Sequence, residues 1–437
     1  MNIILLSGGS GKRLWPLSNE IRSKQFIKIF KNGNGECESM LQRIYGQIKA
    51  VDPEASVTIA TSKAQASAIY NQLGENVNVC FEPCKKDTFA AIALATSYLH
   101  DIKGVSGDDA VVVCPVDPYA EAAYFSCVGR MYEKAAAGNK DLVLMGIEPT
   151  YPSEKYGYIK PVSNAPDNTT WSFKEKPTVE MAEKYIEEGA LWNGGVFAFK
   201  LSYVLGESRD LLGTSSYADL LSTYSDLDKI SFDYAVVESE ESIDVIKYSG
   251  EWKDLGTWNT LTEAMDVHVI GNGVLNEECQ NTHIINELDI PILGMGLKDM
   301  VISASPDGIL VSDKAQSSYI KPFVDSFDQP VMFAEKSWGS YRVIDIGDQS
   351  LTIKVTLNPG HKMNYHSHDR RDEVWTVISG KGRTVVDGEV KNIKPGDVIT
   401  LAAGTKHTVI ADDESLQLIE VQLGKDISAN DKHKYEL

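Results

Sequence analysis

The sequence predicts an α/β protein: an open, mostly parallel sheet with helices on both faces, followed by a small β-rich segment and a C-terminal all-β domain. Three observations carry this. Short apolar strands alternate with helical stretches from residue 1 to about 265. From about 266 to 328 short apolar pairs recur between polar turns. The remainder shows almost no helical period and is broken by Asp387-Gly388 and Pro395-Gly396, as a barrel or sandwich would be. A chain of 437 residues has room for two or three domains, and the boundaries fall at 1–265, 266–328 and 329–437.

Asn2-Ile3-Ile4-Leu5-Leu6 is an apolar run that reads as a buried strand over 2–7. Further strands are expected over 56–61, 77–81, 110–114 and 142–147, with amphipathic helical stretches over 38–50 and 88–102. In open α/β sheets ligands bind beyond the C-terminal strand ends. The glycine-rich stretch after the first strand and Asp117 after 110–114 both fall there. In the middle segment the apolar pairs are Thr282–Ile285, Ile290–Ile292, Met300–Ile302 and Gly308–Val311, and Phe327-Asp328-Gln329-Pro330 reads as a linker.

Composition narrows the function. The net charge is −20, from 42 basic and 62 acidic side chains, which excludes a nucleic-acid-coating protein built on a basic face. Small anionic substrates stay open, because local cations can reverse the field inside a cleft. Residues 1–437 contain no apolar run of membrane-spanning length and no export signal, so a cytoplasmic protein is expected. The six cysteines (Cys37, Cys80, Cys84, Cys114, Cys127, Cys279) lack paired spacing and read as reduced thiols.

Leu6-Ser7-Gly8-Gly9-Ser10-Gly11-Lys12-Arg13-Leu14-Trp15-Pro16-Leu17 is the most informative stretch. A glycine-dense turn leaving a strand can bring backbone N–H groups against phosphate oxygens, since no Cβ blocks the approach. Arg13 adds a fixed positive fork. Two other phosphate loops are excluded by spacing: Arg13 follows Lys12 where a P-loop needs Ser or Thr, and G-x-G-x-x-G is absent.

With Ser23-Lys24-Gln25-Phe26 behind it, this stretch resembles the signature of sugar-nucleotide pyrophosphorylases, and most closely the mannose-1-phosphate guanylyltransferase branch. Counterparts continue in order: Glu82-Pro83 with Thr88, Cys114-Pro115-Val116-Asp117, Tyr156-Gly157-Tyr158-Ile159, Phe173-Lys174-Glu175-Lys176-Pro177, Asn193-Gly194-Gly195-Val196-Phe197, Phe232-Asp233-Tyr234-Ala235 and Trp252-Lys253-Asp254-Leu255-Gly256-Thr257-Trp258. The resemblance implies a Rossmann-like nucleotidyltransferase sheet, and transfer of GMP from GTP to mannose 1-phosphate to give GDP-mannose and pyrophosphate for polysaccharide or glycan synthesis. Leu6, Gly8, Gly9, Gly11, Glu82 and Thr88 would then face the nucleotide. Arg13 and Lys24 would neutralise the triphosphate, and Asp117 and Asp254 would hold Mg²⁺. Lys176 would hold the sugar phosphate, with Gly157, Glu175, Asn193 and Gly194 on the sugar. A homodimer is what the family suggests. Trp15, Phe26, Trp192 and Trp258 read as core or cleft walls rather than base-stacking partners. Ser23, Pro118 and Lys86-Asp87 depart from the family pattern (Pro, His and Arg-Asn), so another base or hexose stays open.

Five of the eight histidines lie between His361 and His433. Gly360, His366-Ser-His368, Glu373 and Gly380 reproduce the spacing of the first cupin motif, and Gly396, Ala402-Ala403-Gly404 and His407 follow the second more loosely. His366, His368, Glu373 and His407 would suit Zn²⁺, Mn²⁺ or Fe²⁺, because neutral nitrogens and one carboxylate fit borderline cations. Glu335-Lys336-x-Trp338-Gly339-x-Tyr341 with Arg371 and Glu373-x-Trp375 resembles the phosphomannose isomerase module of bifunctional enzymes. That family has Gln at position 366 and His at 374. No base for isomerisation is identifiable from the sequence, so a non-catalytic, sugar-sensing or dimerising barrel stays open beside an isomerase.

Overall fold

The structure, a computed structural model, describes residues 1–9, 12–19, 21–162, 171–425, 427–428 and 430–436. The chain gathers into two compact units: one holds the described residues of 1–10, 24–66 and 76–266, the other those of 11–23, 67–75 and 267–437.

The first unit is built on a nine-stranded sheet. Asn2–Leu6 lies between Ser56–Ser62 and Ala110–Pro115, parallel to both, and Asn78–Glu82 extends the parallel run. These are the expected strands to within one residue. Leu142–Ile147 pairs in parallel with Ile243–Tyr248, while Leu191–Lys200 runs antiparallel between Ala110–Pro115 and Leu142–Ile147. The sequence reading did not find Leu191–Lys200, because a bulge between Asn193 and Phe197 breaks its alternation.

Helix Met40–Val51 opens on a capping box, Ser39 with Gln42, and buries Met40, Leu41, Ile44 and Ile48. Helix Thr88–Asp101 is not the amphipathic piece expected over 88–102. Every residue from Phe89 to Ser97 is buried. Strands lie against one side and helices Leu201–Leu212, Tyr217–Thr223 and Phe232–Ala235 against the other, so an apolar surface all round is what packing requires.

In the second unit, Val269–Gly271, His283–Asn286 and Met300–Ser305 stack in parallel, with Gly308–Asp313 antiparallel at the edge. The C-terminal part has a six-stranded and a five-stranded sheet enclosing a core of Val355, Leu357, Trp375, Val377, Val409, Leu416 and Leu418. Asp387-Gly388 is a two-residue hairpin turn with both φ positive, 47° and 87°. The inward positions of these strands carry the second group of chemistry-bearing side chains.

Candidate functional site

In the first unit the glycine loop leaves the strand Asn2–Leu6 and is anchored from below. The buried Gln25 amide donates to the Ser7 carbonyl at 3.3 Å and hydroxyl at 3.1 Å, and the buried Thr61 hydroxyl donates to the same carbonyl at 3.1 Å. Phe26 is fully buried. The Lys-Gln-Phe triplet is therefore a clamp on the loop's root, with only Lys24 left for chemistry. A Cβ on Gly8 or Gly9 would meet nothing within 4 Å, so the loop presents bare backbone to open space, and Gly9 needs its φ of 126°. Gly11 lies outside the described residues. Arg13 is exposed on the turn Lys12–Leu14, a segment belonging to the second unit.

Asp117 and Asp254, 137 positions apart in the sequence, converge through a two-stranded ribbon. Trp252–Asp254 pairs antiparallel with Pro118–Ala120, placing Asp254 opposite Pro118. Pro118 tolerates this position because the ribbon has no further strand among the described residues to receive an N–H. Lys24 Nζ sits between the carboxylates, 2.9 Å from Asp117 and 3.6 Å from Asp254. Burial opposes its charge, but the two aspartates outweigh burial and raise the ammonium above its ordinary value. Both carboxylates are more than two-fifths exposed, so oxygens remain for a hard cation such as Mg²⁺.

A second cluster forms around Gly157. A Cβ there would come within 2.5 Å of both Glu175 and Phe173, so only glycine fits. The Gly157 carbonyl accepts from Asn193 N at 2.8 Å. Glu175 pairs with Lys176, which is held in the left-handed region at φ 42°. The Asn193 amide donates to Asp233 at 2.6 Å, while its side-chain oxygen accepts from Gly195 N at 3.1 Å. Gly194 packs on Ile147. Tyr156, Trp192 and Trp252 form an aromatic wall, with ring centroids 4.9 to 6.5 Å apart. Trp192 and Trp258 are buried, in line with wall and core roles.

Asp233 was not among the expected site residues, although its tetrapeptide had been singled out. Burial, then the neighbouring Glu175, pushes its carboxyl up to about 6 against the Asn193 hydrogen bond. A carboxyl raised on folding costs stability once it ionises. The folded state should therefore lose about 1–3 kcal/mol between pH 4 and 6 from this group. Asp233→Asn is expected to remove that loss, so unfolding of the two proteins across this range should converge at pH 4 and separate at pH 7, with the variant the more stable. Equal slopes would refute the assignment.

Beside the glycine loop, Glu82 lines a small hollow with Ser7, Gly8, Gly9, Gln65 and Lys85, and accepts from the Tyr224 hydroxyl at 2.7 Å. The Thr88 hydroxyl accepts from Phe232 N at 2.8 Å, tying helix Thr88–Asp101 to the Asp233 segment. Leu6 ends the first strand, its carbonyl taking Val116 N at 3.2 Å. Asp87 caps the helix from φ 72° and ψ −175°, a strained conformation that only glycine adopts readily.

In the C-terminal barrel His366, His368 and His407 are all buried and offer ligand atoms within 4.8 Å of one another. Each Nδ1 faces a backbone carbonyl: Asn364 for His366, Asp431 for His368 and Thr405 for His407. Those carbonyls accept from Nδ1 and turn each Nε2 toward the cluster. Burial, then Lys432 and His407, pulls His366 down to about 2, so its ring is neutral. Glu373 Oε1 lies 3.1 Å from His368 Nε2, and Oε2 lies 3.4 Å from His407 Nε2. A carboxylate facing two ring nitrogens at that range calls for a proton or a metal cation between them. Arg371 meets part of the demand through Glu373 at 3.0 Å and His368 at 2.9 Å, but His407 Nε2 has no hydrogen-bond partner among the described residues. Three ring nitrogens and one carboxylate thus fit a divalent transition metal.

The family model for nucleotidyl transferases matches residues 2–268, covering the sheet, the glycine loop and both aspartates. This chain belongs to the nucleotidyl transferase family. The model for the mannose-6-phosphate isomerase C-terminal domain matches residues 329–436 of the transferase. Similar proteins include the xanthan biosynthesis protein XanB of Xanthomonas campestris pv. campestris, 30% identical over 99% of this chain and 97% of that protein. The mannose-1-phosphate guanylyltransferase ManC of Salmonella typhimurium is 29% identical over 99% and 97%. Among solved structures, one titled mannose-1-phosphate geranyltransferase, from Thermus thermophilus, is 28% identical, covers 74% of the transferase and 98% of its own chain, and superposes with a TM-score of 0.62. Among the described residues no helix is long and apolar enough to cross a membrane.

Proposed function

We propose that this protein transfers GMP from GTP to mannose 1-phosphate, releasing pyrophosphate and forming GDP-mannose for surface polysaccharide or glycan synthesis. The observation that carries the reading is the meeting of Asp117, Asp254 and Lys24 in the same unit as a glycine loop open to phosphate. A sugar phosphate oxygen attacks the α-phosphorus in line, the α–β bridging bond breaks, and the leaving group takes up charge. Lys24 and Arg13 neutralise that charge. The backbone at Gly8, Gly9 and Gly11 cradles the triphosphate, with Leu6, Glu82 and Thr88 on the nucleoside side. Lys176 holds the sugar phosphate, and Glu175, Asn193, Gly157 and Gly194 shape the sugar pocket, to which Asp233 is added here. Asp117 and Asp254 would hold Mg²⁺, which would supply charge neutralisation at the reacting phosphates.

Two relatives with assigned chemistry in their names, ManC and the guanylyltransferase of Escherichia coli, support mannose and guanine. The domains are taken as 1–265, 266–328 and 329–437. A panel of nucleoside triphosphates against sugar 1-phosphates, read by pyrophosphate release, tests the reading. GTP with mannose 1-phosphate should lead by at least tenfold, and a different leading pair would replace it.

For the barrel, the histidine cluster favours a second reading, a metal-dependent aldose–ketose isomerase acting on mannose 6-phosphate. Its metal, Zn²⁺, Mn²⁺ or Fe²⁺ on His366, His368, His407 and Glu373, would polarise the sugar carbonyl.

A further inference from the structure

The barrel holds a second buried acid that the metal centre does not use. Strand Leu416–Leu423 turns Leu416, Leu418, Glu420 and Gln422 inward. The first two fill the core, so the interior face changes from apolar to polar along one strand. Glu420 is 3% exposed, lies opposite Trp375 on one neighbouring strand and opposite Ile353 on the other, and is one inward position short of the level of Glu373, which pairs with Gln422. The Gln422 amide donates to Glu420 Oε1. Glu420 Oε2 and Gln422 Oε1 have no hydrogen-bond partner among the described residues. Buried, unpartnered carboxyl and amide oxygens are costly to fold around, and an interior that keeps two of them side by side is arranged for a ligand.

The two acids of this interior are in different states. Glu373 is engaged by Arg371 at 3.0 Å and by the Trp375 indole at 3.1 Å, besides facing the histidines. Among the described residues Glu420 is held only by Gln422. Two carboxyls on one interior face with their environments set apart are the pattern of divided roles. Burial first, then the charge of Glu373, pushes the Glu420 carboxyl up to about 8, while the Gln422 hydrogen bond and then Arg371 pull against it.

We propose that Glu420 is the catalytic residue that carries the proton between adjacent carbons of a small aldose or ketose phosphate bound at the three-histidine cluster. This rests on the isomerase reading of the barrel and supplies the base that reading lacked. The carboxylate takes the proton from C2 of the open-chain aldose, and the C–H electron pair becomes the C1–C2 double bond. The carbonyl pair moves to O1, which takes a proton from solvent. Collapse in the other direction returns the Glu420 proton to C1, forms the C2 carbonyl and gives the O2 proton back to solvent. Nothing is oxidised or reduced overall.

The test uses the full chain loaded with Mn²⁺ or Zn²⁺ in deuterated buffer, with mannose 6-phosphate as probe. Wild-type protein should exchange the C2 hydrogen and form fructose 6-phosphate. Glu420→Gln should lose both by at least a hundredfold while its calorimetric Mn²⁺ affinity stays within threefold and its melting temperature does not fall. Should that variant fold poorly, Glu420→Asp, which keeps the charge but withdraws it by one methylene, should reduce exchange at least tenfold. Equal exchange in wild-type and Glu420→Gln would overturn the assignment and leave the isomerase reading standing. Wild-type protein that binds metal yet neither exchanges nor converts would overturn both.

Discussion

Asp254→Ala is expected to lower pyrophosphate release by roughly 10²–10³-fold at saturating GTP and mannose 1-phosphate, and to raise the Mg²⁺ concentration needed for half-maximal rate. The size follows from the geometry. Asp254 is one of two carboxylates on a two-stranded ribbon, and no other acid shares its contact with Lys24 besides Asp117 among the ion pairs of the described residues. Its loss removes half of the hard-oxygen donor set at the point where phosphate charge must be neutralised. The fold should survive, because Asp254 is close to half exposed, and exposed ion pairs contribute only about 0–1 kcal/mol. A melting curve beside the rate measurement separates the two effects. Unchanged turnover with an unchanged Mg²⁺ requirement would remove Asp254 from the site.

His407→Ala is expected to abolish stoichiometric binding of Zn²⁺ or Mn²⁺ in the barrel and, with it, the stabilisation that metal confers. Wild-type protein at a metal concentration a hundred times its dissociation constant should gain about 2.7 kcal/mol; the variant should gain nothing. His407 is chosen because its Nε2 lacks a hydrogen-bond partner among the described residues and its Nδ1 is already fixed by the Thr405 carbonyl at 2.9 Å. Calorimetry and metal analysis of the full chain decide the matter. A wild-type protein that shows no metal-dependent shift in melting would mean that Arg371 serves as the resident cation.

Much of this was legible in the chain. The strands over 56–61, 77–81, 110–114 and 142–147 were readable because parallel strands buried on both faces are continuous apolar runs, whose ends turn chemistry as well as geometry. Leu191–Lys200 was not, since its glycines and bulge serve the Asn193 turn at the expense of alternation. Asp233 left a faint trace: an acid inside a short motif, without sign that Asn193 and Glu175 would surround it. Glu420 leaves a clearer one, an acid on the inward phase of an otherwise hydrophobic alternation.

The sequence by itself determined the succession of a parallel α/β sheet, a β-rich segment and a β-barrel, along with the glycine loop and the spacing of three histidines. These depend on local period, turn residues and short offsets, which neighbouring residues decide. Tertiary structure alone decided that Lys24 stands between Asp117 and Asp254, that Asn193 reaches Asp233, and that Glu420 keeps an open oxygen beside an engaged Glu373. Those meetings join residues far apart in the chain, and only strand pairing and the exclusion of water set the fields that tell one carboxylate from another.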